Sequence, residues 1–435
     1  LIVAATIVLL PGLVAAILYS RHKAPTATDV KRPTPIQQDS RAVAVEQQLL
    51  ANGDLDEAAK GYAQLIENGS QDYRVYDNLG VVYARLGRYD KAAAFARQAI
   101  KLAPDAVEPH ANLVIASMAL QQPEDAHDLI RRALASHRDS PDFHSVLYAL
   151  AFLAPAGTDK PAMADQSRWF AGHPEHESYG LALASNTAAY GGHLTKARDL
   201  TKRAVEAARK GDSAELPGAW QAFAALREAA FGNAAEARNQ AEVALKLSPA
   251  SPDVRVEAAL TFAILGDSAR AETLAQDINK RFPNNTQFQA LWLPAIRAQL
   301  ALVKKNPEAA ISALDPAVAL ELGQSTFGPN PACMYTTYLR GAAFLADEKG
   351  TAAATQFQKI IDHDGVVWNC WTGALARLGL ARANLLEAHE AEGQDVDDIR
   401  LKGLMAYKTF LRLWKDADPD IPVLTQAKDE LAAMQ

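Results

Sequence analysis

Along most of the chain, apolar side chains return at steps of three and four residues with polar ones between them, the pattern of amphipathic helices. The stretch GRYDKAAAFARQAIKLAP, residues 87–104, shows it with small side chains: Ala92, Ala93, Ala94, Ala96 and Ala99, then Pro104. Proline ends the predicted helix because it lacks an N–H and clashes with the preceding turn. A face made of alanine is too small to fill a core by itself. It predicts a second helix backbone lying close against it.

The pattern recurs at a fixed interval. Gly53, Gly87 and Gln121 are equally spaced and open similar phrases, GDLDEAAKGYAQLI, GRYDKAAAFARQAI and QQPEDAHDLIRRAL. Their interval matches the period, about 34 residues, of tetratricopeptide helix-turn-helix units. The unit 73–106 resembles that repeat most fully, with Tyr76, Leu79, Gly80 and Tyr83 on its first helix, Ala92 and Ala99 on its second, and Pro104 closing it. Gly80 and Ala92 should let the two helices approach, while the large residues fill the space above and below. Further units are read at 39–72, 107–140, 141–176, 178–216, 218–251, 252–285, 286–323, 334–367 and 372–419, with a capping helix in 420–435. The expected fold is therefore all-α, a solenoid of about ten such units, because a single helix pair cannot bury its own apolar face. The units divide into an N-terminal array, 39–176, and a more degenerate C-terminal array, 177–419. Breaker-rich or charged stretches at 154–166, 208–218, 322–333 and 387–403 are expected to be surface loops.

Composition agrees with helices and excludes some partners. Aromatic residues make up only 7% of the 435 residues, little material for β-sandwich cores. A net charge of −7 offers no basic footprint, so nucleic acid is not an expected partner. Residues 1–19 are uncharged and interrupted only by Pro11, long enough to span a bilayer, so residues 1–20 are expected to be a transmembrane helix that continues from a longer chain. Residues 21–38, polar and proline-bearing, then form a flexible tether. The cations Arg21, His22, Lys23, Lys31 and Arg32 after the span argue for a cytoplasmic repeat domain by the positive-inside rule.

Candidate chemistry is sparse. No phosphate-binding Gly-rich loop, H-R-D, D-F-G or G-x-S-x-G motif is present, so no catalytic residue is assigned and no enzymatic activity is expected of these residues. DHDG at 362–365 falls where a second helix should end and reads as a turn. His173, Glu175 and His176 carry metal-binding atoms without further ligands at recognisable spacing, so no metal or other cofactor is assigned. Cys333 and Cys370 each precede the first helix of a unit. They are read as two semi-buried thiols, with a bond open to them if their Cα atoms come within about 7 Å. Trp368 and Trp371 read as packing. The remaining candidate is the concave face of the stack, where first helices receive polypeptide segments. In the clearest units it should comprise Arg74, Asp77, Val81 and Arg85, then Glu108, Ala111, Ile115 and Met118, a mixed apolar and polar surface.

The segments FLRLWKDADPDIPVLTQAKDELAAMQ (410–435), GALARLGLARA (373–383), LPAIRAQLAL (293–302) and LREAAFGNAAEAR (226–238) resemble the C-terminal repeat region of bacterial membrane-anchored serine/threonine protein kinases. Similar tails follow winged-helix transcriptional regulators. The resemblance implies a non-catalytic interaction or sensing module behind an upstream output domain, on the extracytoplasmic side of the inner membrane, with a protein or peptide partner in the groove and self-association open to it. A freestanding anchored scaffold for an envelope complex is the alternative.

Overall fold

The computed structural model describes residues 35–211, 213–325, 330–390 and 395–434, and side chains from residue 43 onward except those of 389, 390 and 395. The expected membrane helix and most of the tether lie outside the described residues. Among the described residues there are 22 α-helices and no strand. No described helix is long and apolar enough to cross a membrane.

The helices pair into ten antiparallel hairpins. They are α1 (Pro35–Asn52) with α2 (Leu55–Glu67), α3 (Tyr73–Arg85) with α4 (Tyr89–Leu102), α5 (Val107–Ala119) with α6 (Pro123–Ala135), α7 (Pro141–Phe152) with α8 (Lys160–Ala171), and α9 (Glu177–Tyr190) with α10 (Leu194–Lys210). They continue as α11 (Leu216–Ala230) with α12 (Ala234–Leu247), α13 (Pro252–Ile264) with α14 (Ser268–Arg281), and α15 (Leu293–Val303) with α16 (Pro307–Ala313). After α17 (Tyr335–Ala346) and α18 (Gly350–Asp362), a short helix α19 (Asp364–Val367) precedes α20 (Trp371–Glu390), α21 (Asp395–Leu413) and the terminal α22 (Pro422–Ala432). A π-helical turn, Phe288–Trp292, leads directly into α15.

The alanine face does what its size predicts. Ala92, Ala93, Ala96 and Ala99 are buried while Ala94 faces solvent, and a Cβ on Gly80 would stand 3.2 Å from the Ala92 carbonyl oxygen. Larger side chains fill the flanks: Leu79 is buried, the Tyr76 hydroxyl donates to the Ser70 carbonyl at 3.1 Å, and Tyr83 stacks on Phe95 with ring centroids 5.5 Å apart. Pro104 follows the end of α4, and its carbonyl accepts from Arg138 Nε of the next unit at 3.1 Å.

The stack winds until it meets itself. Leu55 N donates to Thr286 Oγ1 at 3.1 Å across 231 residues of chain, close to seven periods. The same contact repeats around the ring, between the tight turn inside an early hairpin and the linker after a late one. The Gly53 turn receives Asn285 and Thr286, and the Gly87 turn receives Leu322 and Gly323. The turn at Gln121 receives Gly365, the Gly192 turn receives Trp414 and Asp418, and the Gly232 turn receives Pro422. Gly192 has φ +78°, and a Cβ there would fall 2.4 Å from Ala417 Cβ. Glycine therefore serves both the left-handed turn and the close approach.

Three expectations are corrected. The described residues of 322–333 are not a surface loop: Gly323, Asn330, Ala332 and Cys333 are buried. Their backbone groups are satisfied inside the molecule, by Gln324 N to Ala84 O at 3.0 Å and Ser325 N to Pro331 O at 2.7 Å, as burial of a loop requires. Asn330 Nδ2 donates to Val367 O and Asn369 Oδ1, and its Oδ1 accepts from Asn186 Nδ2. In the acidic stretch 387–403, residues 387–390 complete α20 and 395–403 open α21, where Asp397 and Asp398 suit the positive end of a helix. Cys333 and Cys370 are disulfide-bonded, with Cα atoms 5.7 Å apart. Equivalent positions in adjacent units bring them together.

Candidate functional site

The concave face is divided by the closure. On α3 and α5, four of the expected lining residues keep solvent access: Arg74 is exposed, and Val81, Glu108 and Ile115 are half-buried. Those at the C-terminal ends are taken up by the protein itself. Arg85 Nη1 donates to Leu50 O at 2.8 Å and Nη2 reaches Gln287 Oε1 at 3.4 Å, while Gln287 Nε2 returns a bond to Arg85 O. Met118 is buried, and its carbonyl lies so near Gly365 that a Cβ there would be 2.0 Å away. Arg85 and Met118 are thus corrected from lining residues to closure contacts, because linkers seven units later cap these helix ends. Ala111 is buried in the adjoining core, and Asp77 is buried with its Oδ1 accepting from Asn112 Nδ2 at 2.8 Å.

Electrostatics mark the interior. Burial pushes the Asp77 carboxyl up to about 7, the Asn112 bond opposing the rise. Burial also pulls the Arg85 guanidinium down to about 10 against the influence of Asp253 from across the ring. Burial and then the neighbouring Glu215 raise Asp253 to about 7.

Residues 47–107 and 83–150 match two models of the tetratricopeptide repeat. The later hairpins continue the same stack, so the described chain is an all-helical solenoid of tetratricopeptide type. Among curated proteins there is no matching sequence. Solved structures similar to this chain include yeast Tom70, at 13% identity, 92% of this chain and 96% of that one, TM-score 0.37. Another is a tetratricopeptide repeat protein from Parabacteroides merdae, at 14% identity, 80% of this chain and 99% of that one, TM-score 0.27.

Among the C-terminal hairpins lies a cavity of about 60 Å³ whose residues are not among those singled out from the sequence. Phe223, Glu257 and Leu291 line it from successive units at equal spacing along the chain, joined by Trp292, Glu321 and Tyr335. The signal was present as an acid at a place where its neighbours in the period are apolar. That signal is weak because repeat fidelity is low in these units. The two acids of the cavity differ. Burial would raise Glu321, but Lys359, Thr337 Oγ1 and Arg340 Nη1 all donate to it and hold it below the usual carboxylate range. Glu257 is 7% exposed and receives no hydrogen bond to its carboxylate from any described residue.

His173 and His176 stack on Trp169, and His173 Nδ1 sits 2.7 Å from Trp169 O. Among the described residues no group of three or more His, Cys, Asp or Glu converges as metal ligands would. DHDG spans the end of α18 and the start of α19, where Asp364 opens a one-turn helix. Trp368 and Trp371 are buried.

Proposed function

We propose that the protein is a non-catalytic module that binds a polypeptide segment along the part of its concave face left open by the ring closure. The observation that carries this is the accessibility of Arg74, Val81, Glu108 and Ile115 on the first helices of the matched repeats, while the helix ends beside them are sealed. Both charges and branched apolar groups are offered there, which suits a segment of mixed character.

The test is a selection of displayed peptides on the purified protein, followed by the double variant Val81→Glu, Ile115→Glu. Selected peptides are expected to lose at least tenfold in affinity while the variant keeps a single cooperative melting transition, at a lowered temperature because both side chains are half-buried. Peptides that bind the double variant unchanged would remove the reading.

The finer proposal makes this module the sensing tail of a membrane-anchored serine/threonine kinase, held by residues 1–20 on the extracytoplasmic side. The 410–435 phrase supports it, as does the disulfide, since such bonds persist in oxidising compartments. The coding sequence upstream of Leu1 tests it directly. A kinase domain there is the expected finding, and a start codon within a few residues would favour the anchored scaffold.

A further inference from the structure

We propose that the cavity lined by Phe223, Glu257, Trp292 and Tyr335 is a pocket for an ammonium group, and that its occupant is a lysine side chain of the bound polypeptide. The inference rests on the polypeptide-binding reading above and adds the chemical class that this site selects.

The walls and the charge are complementary to such a group. Three aromatic residues surround the space, Phe223, Trp292 and Tyr335, and aromatic faces attract cations through their quadrupole. Trp292 and Tyr335 pack at 5.4 Å between centroids, and Trp371 stacks behind Tyr335 at 5.7 Å, fixing the ring positions. Both Trp292 and Tyr335 remain half-buried, which leaves them at the mouth. At the wall stands Glu257, more than nine-tenths buried and without a hydrogen-bonding partner for its carboxylate among the described residues. Tyr335 Oη is likewise buried, and beside it only the indole N–H of Trp371 is placed to donate to it, leaving a lone pair for an entering group. Buried polar atoms ordinarily have partners, and those that lack them call for an explanation.

Nearby cations do not supply the partner. Arg340 and Lys359 are committed to Glu321. Arg227 uses Nη1 and Nη2 on Ser185 and Thr201. Arg85 influences Asp253, one helical turn before Glu257, while the groups acting on Glu257 are its burial and the like charge of Asp253. The carboxyl is consequently held well above its ordinary range, as an unneutralised buried acid is. One acid of the cavity is compensated and the other is left for something that enters.

Donor count favours ammonium over guanidinium. A cavity of about 60 Å³ is roomy enough to admit an ammonium group. An ammonium presents three donors, matched by the two carboxylate oxygens of Glu257 and Tyr335 Oη. A guanidinium presents five in a planar fork and would leave some without partners.

The experiment uses the full chain, with tryptophan fluorescence as readout and Trp292→Phe to identify the reporter. Probes are n-butylammonium, its neutral counterpart n-butanol, and two hexapeptides differing only in lysine or norleucine at one position. Saturable binding of n-butylammonium and of the lysine peptide is expected, with n-butanol and the norleucine peptide at least tenfold weaker. Glu257→Gln, which keeps shape and removes charge, should abolish the difference while the protein stays folded by its melting curve. Tight binding of n-butylammonium without any for the lysine peptide would assign the pocket to a free amine and overturn the polypeptide source. Absence of saturable ammonium binding, or binding equal in Glu257→Gln, would overturn the pocket itself. If selected peptides still depend on Val81 and Ile115 in that case, the broader binding function stands without it.

Discussion

At the residue scale, the interior carboxylate of Asp77 makes stability depend on pH in a direction opposite to that of an ion-paired acid. The folded-state value of Asp77, about 7, lies above its ordinary 3.8 because of burial. Between these values the native state holds a proton that the unfolded chain releases, so stability falls as pH rises through this window. Asp77→Asn keeps an acceptor for Asn112 Nδ2 and removes the charge. It is expected to raise unfolding free energy at pH 8 by on the order of 1–3 kcal/mol, a tenfold change in proton affinity being worth about 1.4 kcal/mol, and to change little at pH 4. Urea titrations at the two pH values check it; equal effects at both would show that the Asp77 carboxyl titrates in its ordinary range. The repeat spacing places Asp77 on the first helix of its unit, and α3 carries it there. Its burial is not legible from that spacing, since it depends on neighbours in the next unit.

At the element scale, the phrase LWKDADPDIP acquires a structural meaning. It runs from the end of α21 to the start of α22 and locks the last unit onto hairpins from the middle of the chain. Trp414 Nε1 donates to Tyr190 O at 2.9 Å, Asp418 N donates to Gly192 O, and Asp418 Oδ2 accepts from Thr195 N at 2.7 Å. Val423 N donates to Phe231 O, beside Pro422 on Gly232. The phrase is thus a closure contact of this stack. Trp414 is 1% exposed and packs against Phe231 and Phe410. Trp414→Ala should cost about 3–5 kcal/mol, the range for deleting a buried aromatic, while Trp414→Phe loses chiefly the indole bond. Chemical denaturation of both variants checks the order. A similar midpoint for Trp414→Ala and the parent would mean that the closure does not contribute to folding.

At the scale of the whole molecule, the disulfide joins the start of one late unit to the start of the next across 37 residues. Loop-closure entropy for that length corresponds to about 4 kcal/mol, so Cys333→Ala with Cys370→Ala, or reduction of the parent, should lower stability by about that amount. Thermal unfolding with and without reductant is the measurement, and an unchanged melting temperature would refute it. What the sequence determined by itself was local and periodic: the hairpins, their even spacing, the close helix contact at Gly80 and Ala92, and the stop at Pro104. These are legible because each depends on residues within one unit or its immediate neighbour. Only the tertiary structure decided which concave positions remain open, why Arg85 and Met118 are sealed, and that Asn330, Ala332 and Cys333 lie inside. Small rotations between units accumulate along a solenoid, and their sum, which brings Thr286 onto Leu55, is written in no single repeat.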